Sequence, residues 1–129
     1  MNARILIVDD NPINLKLASD VLEAAGFEVV RAEDAEEAQR ILADLVPDLI
    51  LMDIALPGMD GLTLSAKLKS NPRLQTVPIV ALTASAMKGD DRRAIDSGCD
   101  GYISKPINTR EFPRQVAAFI TPSPSSPIR

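Results

Sequence analysis

The chain has 129 residues, 46% of them apolar and 25% charged, with 14 basic against 18 acidic side chains and a formal net charge of −4. That is the balance of one globular domain, with no basic face for nucleic acid and no apolar run near the roughly 20 residues that span a bilayer. Histidine is absent and cysteine occurs once, at Cys99, which excludes imidazole bases, histidine zinc sites and an internal disulfide and fits a reducing cytoplasm.

In chain order, Arg4–Val8 reads as a first strand, entered so directly from Met1 that no signal peptide fits before it. Two acids, Asp9 and Asp10, close it. A helix follows, with Asn11 as N-cap and Pro12 at the first helical position, where a missing N–H costs nothing. Leu15, Ala18, Leu22 and Ala25 form its predicted buried stripe, and Gly26 ends it. Glu28–Ala32 is a second strand, polar enough for a sheet edge. Asp34 caps the second helix, with Glu37 in the capping-box position. Ala38, Ile41, Leu42 and Leu45 line its inner face before Pro47 stops it.

Residues 49–52 make a third strand, apolar throughout and therefore covered on both faces, and it delivers a third acid, Asp53. Pro57-Gly58 marks a loop before a short helix over 61–68, and Asn71-Pro72 breaks the chain ahead of a fourth strand, 79–82. A weakly amphipathic helical stretch, 88–97, ends at Gly98. Cys99 reads as a small buried filler, and Gly101–Ser104 is the fifth strand. The last helix is predicted over 109–120, capped by Asn108 with Glu111 in the capping-box position. Pro113 predicts a kink there or a displaced helix start, because its ring removes an intrahelical bond. Residues 121–129 hold three prolines and three serines and read as a disordered tail.

Five strands alternating with helices predict an α/β fold, a doubly wound five-stranded parallel sheet with five helices. One common winding, the flavodoxin-like order 2-1-3-4-5, sets the first and third strands side by side at the switch point. Under that order Asp9, Asp10 and Asp53 meet, and Thr83 and Lys105 join the same rim. Three carboxylates and one ammonium sum to −2, which one hard divalent cation neutralises. Mg²⁺ suits carboxylate and phosphate oxygens, and Lys105 is left to pair with an incoming anion while Thr83 offers a hydroxyl. Singly, each residue has a plainer reading as a turn acid, a strand-end threonine or a solvated lysine. Together they describe a phosphoryl-transfer site in which Asp53 attacks and becomes an aspartyl phosphate.

Four segments carry a resemblance: Leu6-Ile-Val-Asp-Asp10, Leu51-Met-Asp-Ile-Ala-Leu-Pro-Gly-Met-Asp-Gly61, Ala81-Leu-Thr-Ala84 and Tyr102-Ile-Ser-Lys-Pro106. They are similar to the receiver domain of two-component response regulators, over residues 3–120, leaving 121–129 as tail. Within that family the chain most resembles stand-alone receivers of the DivK type, through Asn11-Pro-Ile-Asn-Leu15, Ala86-Met-Lys-Gly-Asp90 and Gly98-Cys-Asp-Gly-Tyr102.

The resemblance implies a role for each residue. Asp53 is the phosphoacceptor, supplied by a phosphohistidine on a histidine kinase or a histidine phosphotransferase. Asp10 binds Mg²⁺ directly and Asp9 largely through water, with the Ala55 backbone carbonyl as a further ligand. Thr83 hydrogen-bonds a phosphoryl oxygen, Lys105 forms a salt bridge to the same group through a loop with a cis Lys105–Pro106 bond, and Tyr102 is the aromatic switch. The output is a population shift on the face of the fourth helix, fifth strand and fifth helix, where Pro113 lies, and it controls a downstream signalling protein. Ala55 and Ser85 supply no acid or amide to orient a hydrolytic water, which favours a long-lived phosphoryl group. The expected protein is a cytoplasmic switch rather than an enzyme, a monomer or weak dimer. It has self-catalysed phosphotransfer, slow autodephosphorylation, and no nucleic-acid or membrane partner. Two other readings remain open at this point: a receiver fragment of a hybrid kinase or larger regulator, and a Mg²⁺-dependent phosphohydrolase, disfavoured because Ala55 is not an acid.

Overall fold

The computed structural model describes residues 3–53, 61–83, 100–104 and 107–120. Their elements are β1 (Arg4–Val8), α1 (Pro12–Ala24), β2 (Glu28–Ala32), α2 (Ala35–Asp44), β3 (Leu49–Asp53), α3 (Gly61–Lys69), β4 (Ile79–Thr83), β5 (Gly101–Ser104) and a C-terminal helix (Phe112–Ile120). The five strands form one parallel sheet in the order β2-β1-β3-β4-β5, the doubly wound order expected from the sequence. The helix expected over 88–97, the tail 121–129 and Cys99 lie outside the described residues.

Side chains alternate across each strand, and the sheet accordingly separates two cores. Ile5 and Ile7, Leu49 and Leu51, Val80 and Leu82 pack with Leu15 and Leu22 of α1 and with Phe112 and Val116 of the C-terminal helix. Leu6 and Val8, Ile50 and Met52, Ile79 and Ala81 pack with Ala38 and Leu42 of α2 and with Leu64 and Leu68 of α3. Every residue of β3 is buried, which explains its unbroken apolar run. Burying one such Leu, Ile or Phe fully contributes about 1.5–3 kcal/mol.

Local chemistry sets the helix ends. Asn11 accepts from the Ile13 and Asn14 N–H groups at 2.9 and 3.1 Å. At the far end of α1, Gly26 (φ 100°) donates to Glu23 O, and Phe27 donates to Leu22 O. That pair of bonds needs a left-handed residue at the turn, which glycine adopts without strain. The same turn carries Ala25 outward, and it is exposed rather than part of the stripe. Ser19, absent from the predicted stripe, is buried instead, with its hydroxyl satisfied by donating to Leu15 O at 2.7 Å. Asp34 caps α2 as expected, accepting from Glu37 N–H at 2.7 Å. The Glu37 carboxylate returns to Glu33 N–H at 2.7 Å, one residue further out than an ideal box. The helix stops at Asp44, leaving Leu45 half-buried beyond it.

The C-terminal helix resolves the Pro113 conflict by starting late. Asn108 accepts from Arg110 and Glu111 N–H groups through its side chain, and its carbonyl accepts from Phe112 N–H at 2.8 Å. The helix proper begins at Phe112, so Pro113 falls in its first turn, where no N–H is required. The 109 start expected from the sequence is therefore corrected by three residues.

Candidate functional site

β1 and β3 are neighbours in register, with Val8 opposite Met52. The next residue on each chain is an acid, so Asp9 and Asp53 leave the sheet side by side at its carboxyl edge. Asp53 belongs to β3 itself, which runs one residue further than its apolar run implied. Asp9 is 1% and Asp53 7% exposed, whereas Asp10 is open to solvent. One carboxylate oxygen from each of the three lies within 4.8 Å of the others.

The turn after β1 fixes this arrangement. Asp9 N–H donates to Ala32 O of β2 at 3.1 Å, continuing the ladder, and Asp9 Oδ1 accepts from Asn11 N–H at 2.9 Å. Asn11 is in turn committed to α1 as its cap. The acids are thus tied between a strand edge and a helix N-terminus, whose partial positive charge favours anions. At the observed separation, two carboxylates repel by on the order of 3 kcal/mol at an effective dielectric of about 20 and about 1 kcal/mol in a water-like one, and the exposed Asp10 lies nearer the weaker limit. Three hard oxygen donors, two of them withdrawn from water, fit a small divalent cation of the Mg²⁺ type.

The other expected site residues are placed unequally. Thr83 is the last residue of β4, beyond the point where Asp53 pairs with Leu82, and it pairs with Ser104 of β5. Its backbone therefore reaches the same carboxyl edge. Tyr102 sits on β5 opposite Ala81 and is 40% exposed. Lys105, the Lys105–Pro106 bond, Ala55 and Ser85 lie outside the described residues.

One feature beside the site had not been read from the sequence. On the outer face of α1, one turn apart, Ile13 is 76% and Leu17 43% exposed. Their i, i+4 spacing was visible, but the apolar stripe on the other face accounted for the helix without them.

Comparison with known proteins agrees with this geometry. A family model for the response regulator receiver domain matches residues 5–117. The polar-differentiation response regulator DivK of Brucella ovis is 42% identical over 120 residues, covering 93% of this chain and 98% of the relative. Among solved structures, a response regulator from Chloroflexus aurantiacus J-10-fl superposes with a TM-score of 0.87 at 35% identity, covering 93% of this chain and 98% of that one. The receiver domain of the sensor histidine kinase PA1611 from Pseudomonas aeruginosa PAO1 has a TM-score of 0.85 at 32% identity, with the same coverage. That structure has a magnesium ion coordinated in its active-site cleft.

Proposed function

The chain belongs to the response regulator receiver domain family, and from that premise we propose that Asp53 is its phosphoacceptor and that residues 3–120 form the receiver. Members of the family are signalling switches rather than classical enzymes, taking phosphate from histidine kinases and acting on downstream partners. The observation that carries the proposal is the convergence of Asp9, Asp10 and Asp53 within 4.8 Å at the carboxyl edge between β1 and β3.

In the proposed step, an Asp53 carboxylate oxygen attacks the phosphorus of a phosphohistidine on a histidine kinase or phosphotransferase. The P–N bond breaks, a P–O bond forms, and the imidazole, already protonated on its other ring nitrogen, leaves as the neutral base. Asp10, Asp9, Asp53 and the Ala55 carbonyl would hold Mg²⁺, which when bound supplies charge neutralisation for the transferring group. Lys105 pairs with a phosphoryl oxygen, and Thr83 donates its hydroxyl to another. Burial of Asp53 keeps bulk water from its carboxylate, and with no acid or amide at Ala55 the phosphoryl group is long-lived. Tyr102 follows Thr83 inward, shifting the face of β5 and the helices beside it, with Pro113, toward its partner-binding state. The exposed pair Ile13 and Leu17 lies on α1, which begins two residues after Asp10, and offers an incoming phosphodonor an apolar foothold. No described helix is long and apolar enough to cross a membrane; the proposed setting is the cytoplasm, as a monomer or weak dimer. A receiver segment of a hybrid kinase is the second reading, favoured by the likeness to the PA1611 receiver.

The test is intact-mass analysis after incubation with Mg²⁺ and a small acyl phosphate. One added phosphoryl group is expected, absent from Asp53→Asn and from samples without Mg²⁺. Undiminished labelling of Asp53→Asn would place the acceptor elsewhere.

A further inference from the structure

At the end of the sheet away from Asp53, the closing turns of α2 and α3 flank an open groove of about 470 Å³. Its lining includes Gln39, Lys67, Ser70, Asn71 and Arg73 over a floor of leucines, and it contains no carboxylate. Lys67 and Arg73 outweigh the partial negative charge of the two helix C-termini there, a local positive excess in a chain of net charge −4.

The two cations are differently held from their neighbour Lys69. Lys69 is committed to the Gln75 and Val77 carbonyls and to Asp100. Lys67 and Arg73 have no ion-pair partner among the described residues. Arg73 is nonetheless fixed: its Nη1 donates to Ala43 O at the end of α2 at 3.2 Å, and its backbone N–H donates to Asn71 Oδ1 at 2.9 Å. A guanidinium braced through one nitrogen keeps the rest of its fork for an anion, and little side-chain freedom is then lost on binding.

We propose that this groove binds a small phosphorylated molecule of mononucleotide size. The charge selects an anion, and the Arg73 fork suits two phosphate oxygens while Lys67 acts as a point charge. The volume lies within the range of about 300–1,000 Å³ typical of small-ligand sites. Nine lining residues fall well short of the roughly 20–30 per side in a stable protein interface. The amides of Gln39 and Asn71 can meet the polar edge of a heterocycle at the mouth of the groove, above the buried Leu42, Leu68 and Leu74. This site is independent of the acidic one, and neither proposal depends on the other.

The experiment is an NMR titration of the ¹⁵N-labelled full chain carrying Asp53→Asn, without Mg²⁺, so that phosphate chemistry at the acidic site is silent. AMP, GMP, inorganic phosphate and an acidic peptide are added in separate arms. Saturable shifts confined to the second half of α2 and to residues 67–74 are expected with a nucleotide, at least about tenfold tighter than with inorganic phosphate. Lys67→Gln with Arg73→Gln, both exposed and checked for folding by the unperturbed amide spectrum of the remaining chain, should weaken binding by about tenfold or more, and Arg73→Lys by less. Equal affinity for inorganic phosphate, a preference for the peptide, or no saturation by about 10 mM nucleotide each overturns the proposal.

Discussion

Asp100 holds Ile79 twice: its N–H donates to Ile79 O at 2.7 Å, and its carboxylate accepts Ile79 N–H at 2.8 Å. Asp48 repeats the device on Arg4, donating to Arg4 O at 2.7 Å and accepting Arg4 N–H at 2.7 Å. Each acid stands one residue before a strand and closes the first rung against the neighbouring strand. Lys69 adds a bond to the Asp100 carboxylate at 2.9 Å, binding the end of α3 to the β4–β5 pair. Asp100→Ala leaves Ile79 N–H and Lys69 without that acceptor. We expect a loss of about 1–2 kcal/mol, moderated by solvent at this partly exposed site. Asp48→Ala should lose a similar amount without the lysine contribution. Urea unfolding midpoints at constant m-value measure both, and an unchanged midpoint for Asp100→Ala would refute the clasp.

Gly101 opens β5 where the ring of Phe119 covers the strand so closely that a Cβ would overlap Cε1 and Cζ. The requirement is space, not backbone conformation. Gly101→Ala should cost about 1–3 kcal/mol through overpacking, and Phe119→Leu should recover part of that cost in the double variant. A double-mutant cycle in denaturant reads the coupling; additive effects would show that the ring moves aside freely.

Asp10 is the exposed member of a crowded trio of like charges, and it should be neutralised more safely than its buried neighbours. Asp10→Asn removes its repulsion with Asp9 and Asp53, so the metal-free protein should gain on the order of 1 kcal/mol. Under the proposed metal assignment, the same change removes a hard ligand, and the rise in melting temperature produced by millimolar Mg²⁺ in the parent should shrink or vanish. Thermal melts with and without Mg²⁺ give both readings. A variant that kept the full Mg²⁺ response would remove Asp10 from the metal site.

Asp20 is held below its ordinary carboxylate value of 3.8 by the Lys16 hydrogen bond first; desolvation opposes this, and the charges of Lys16 and Arg31 add to the lowering. A lowered folded value means that its contribution to stability is present above the ordinary value and disappears as pH falls through the lower one. The difference in stability between the parent and Lys16→Met should therefore be constant near neutrality and shrink below about pH 4. Added salt should shrink it too, since the pair is exposed. Parallel urea titrations across pH test this, and a gap that widened in acid would contradict the sign.

Much of the fold was legible because β1, β3 and β4 are short apolar runs bounded by acids, turns or prolines, and Asn11 and Asp34 announce helix starts through their own side chains. What failed was chiefly geometry at ends. Ala25 fits the helical period but is carried outward by the turn at Gly26, and the C-terminal helix begins at Phe112 because a turn from Asn108 absorbs Pro113. Asp9, Asp10 and Asp53 stood out as charges at the ends of apolar strands. Their convergence rests on β1 lying against β3, a contact between residues over forty apart in sequence that no local pattern encodes. Ile13 and Leu17 were passed over because the buried face of α1 already explained its amphipathicity.

Those two side chains separate docking from chemistry. Neither Ile13 nor Leu17 contributes to the buried stripe of α1, so Ile13→Ser with Leu17→Ser should leave folding within about 0.5 kcal/mol of the parent. A small acyl phosphate needs no docking surface and should label Asp53 at the parental rate in Mg²⁺. On the proposed docking mode, a protein phosphodonor buries apolar area against α1 while presenting its phosphohistidine to the acids. Losing two anchors of this size should slow transfer from it by about tenfold or more, at about 1.4 kcal/mol per factor of ten. The measurement is the ratio of the two labelling rates, using a kinase identified by phosphotransfer profiling with the parent protein. Equal slowing with both donors would show damage to the acidic site, and no slowing with either would show that the phosphodonor approaches from another face.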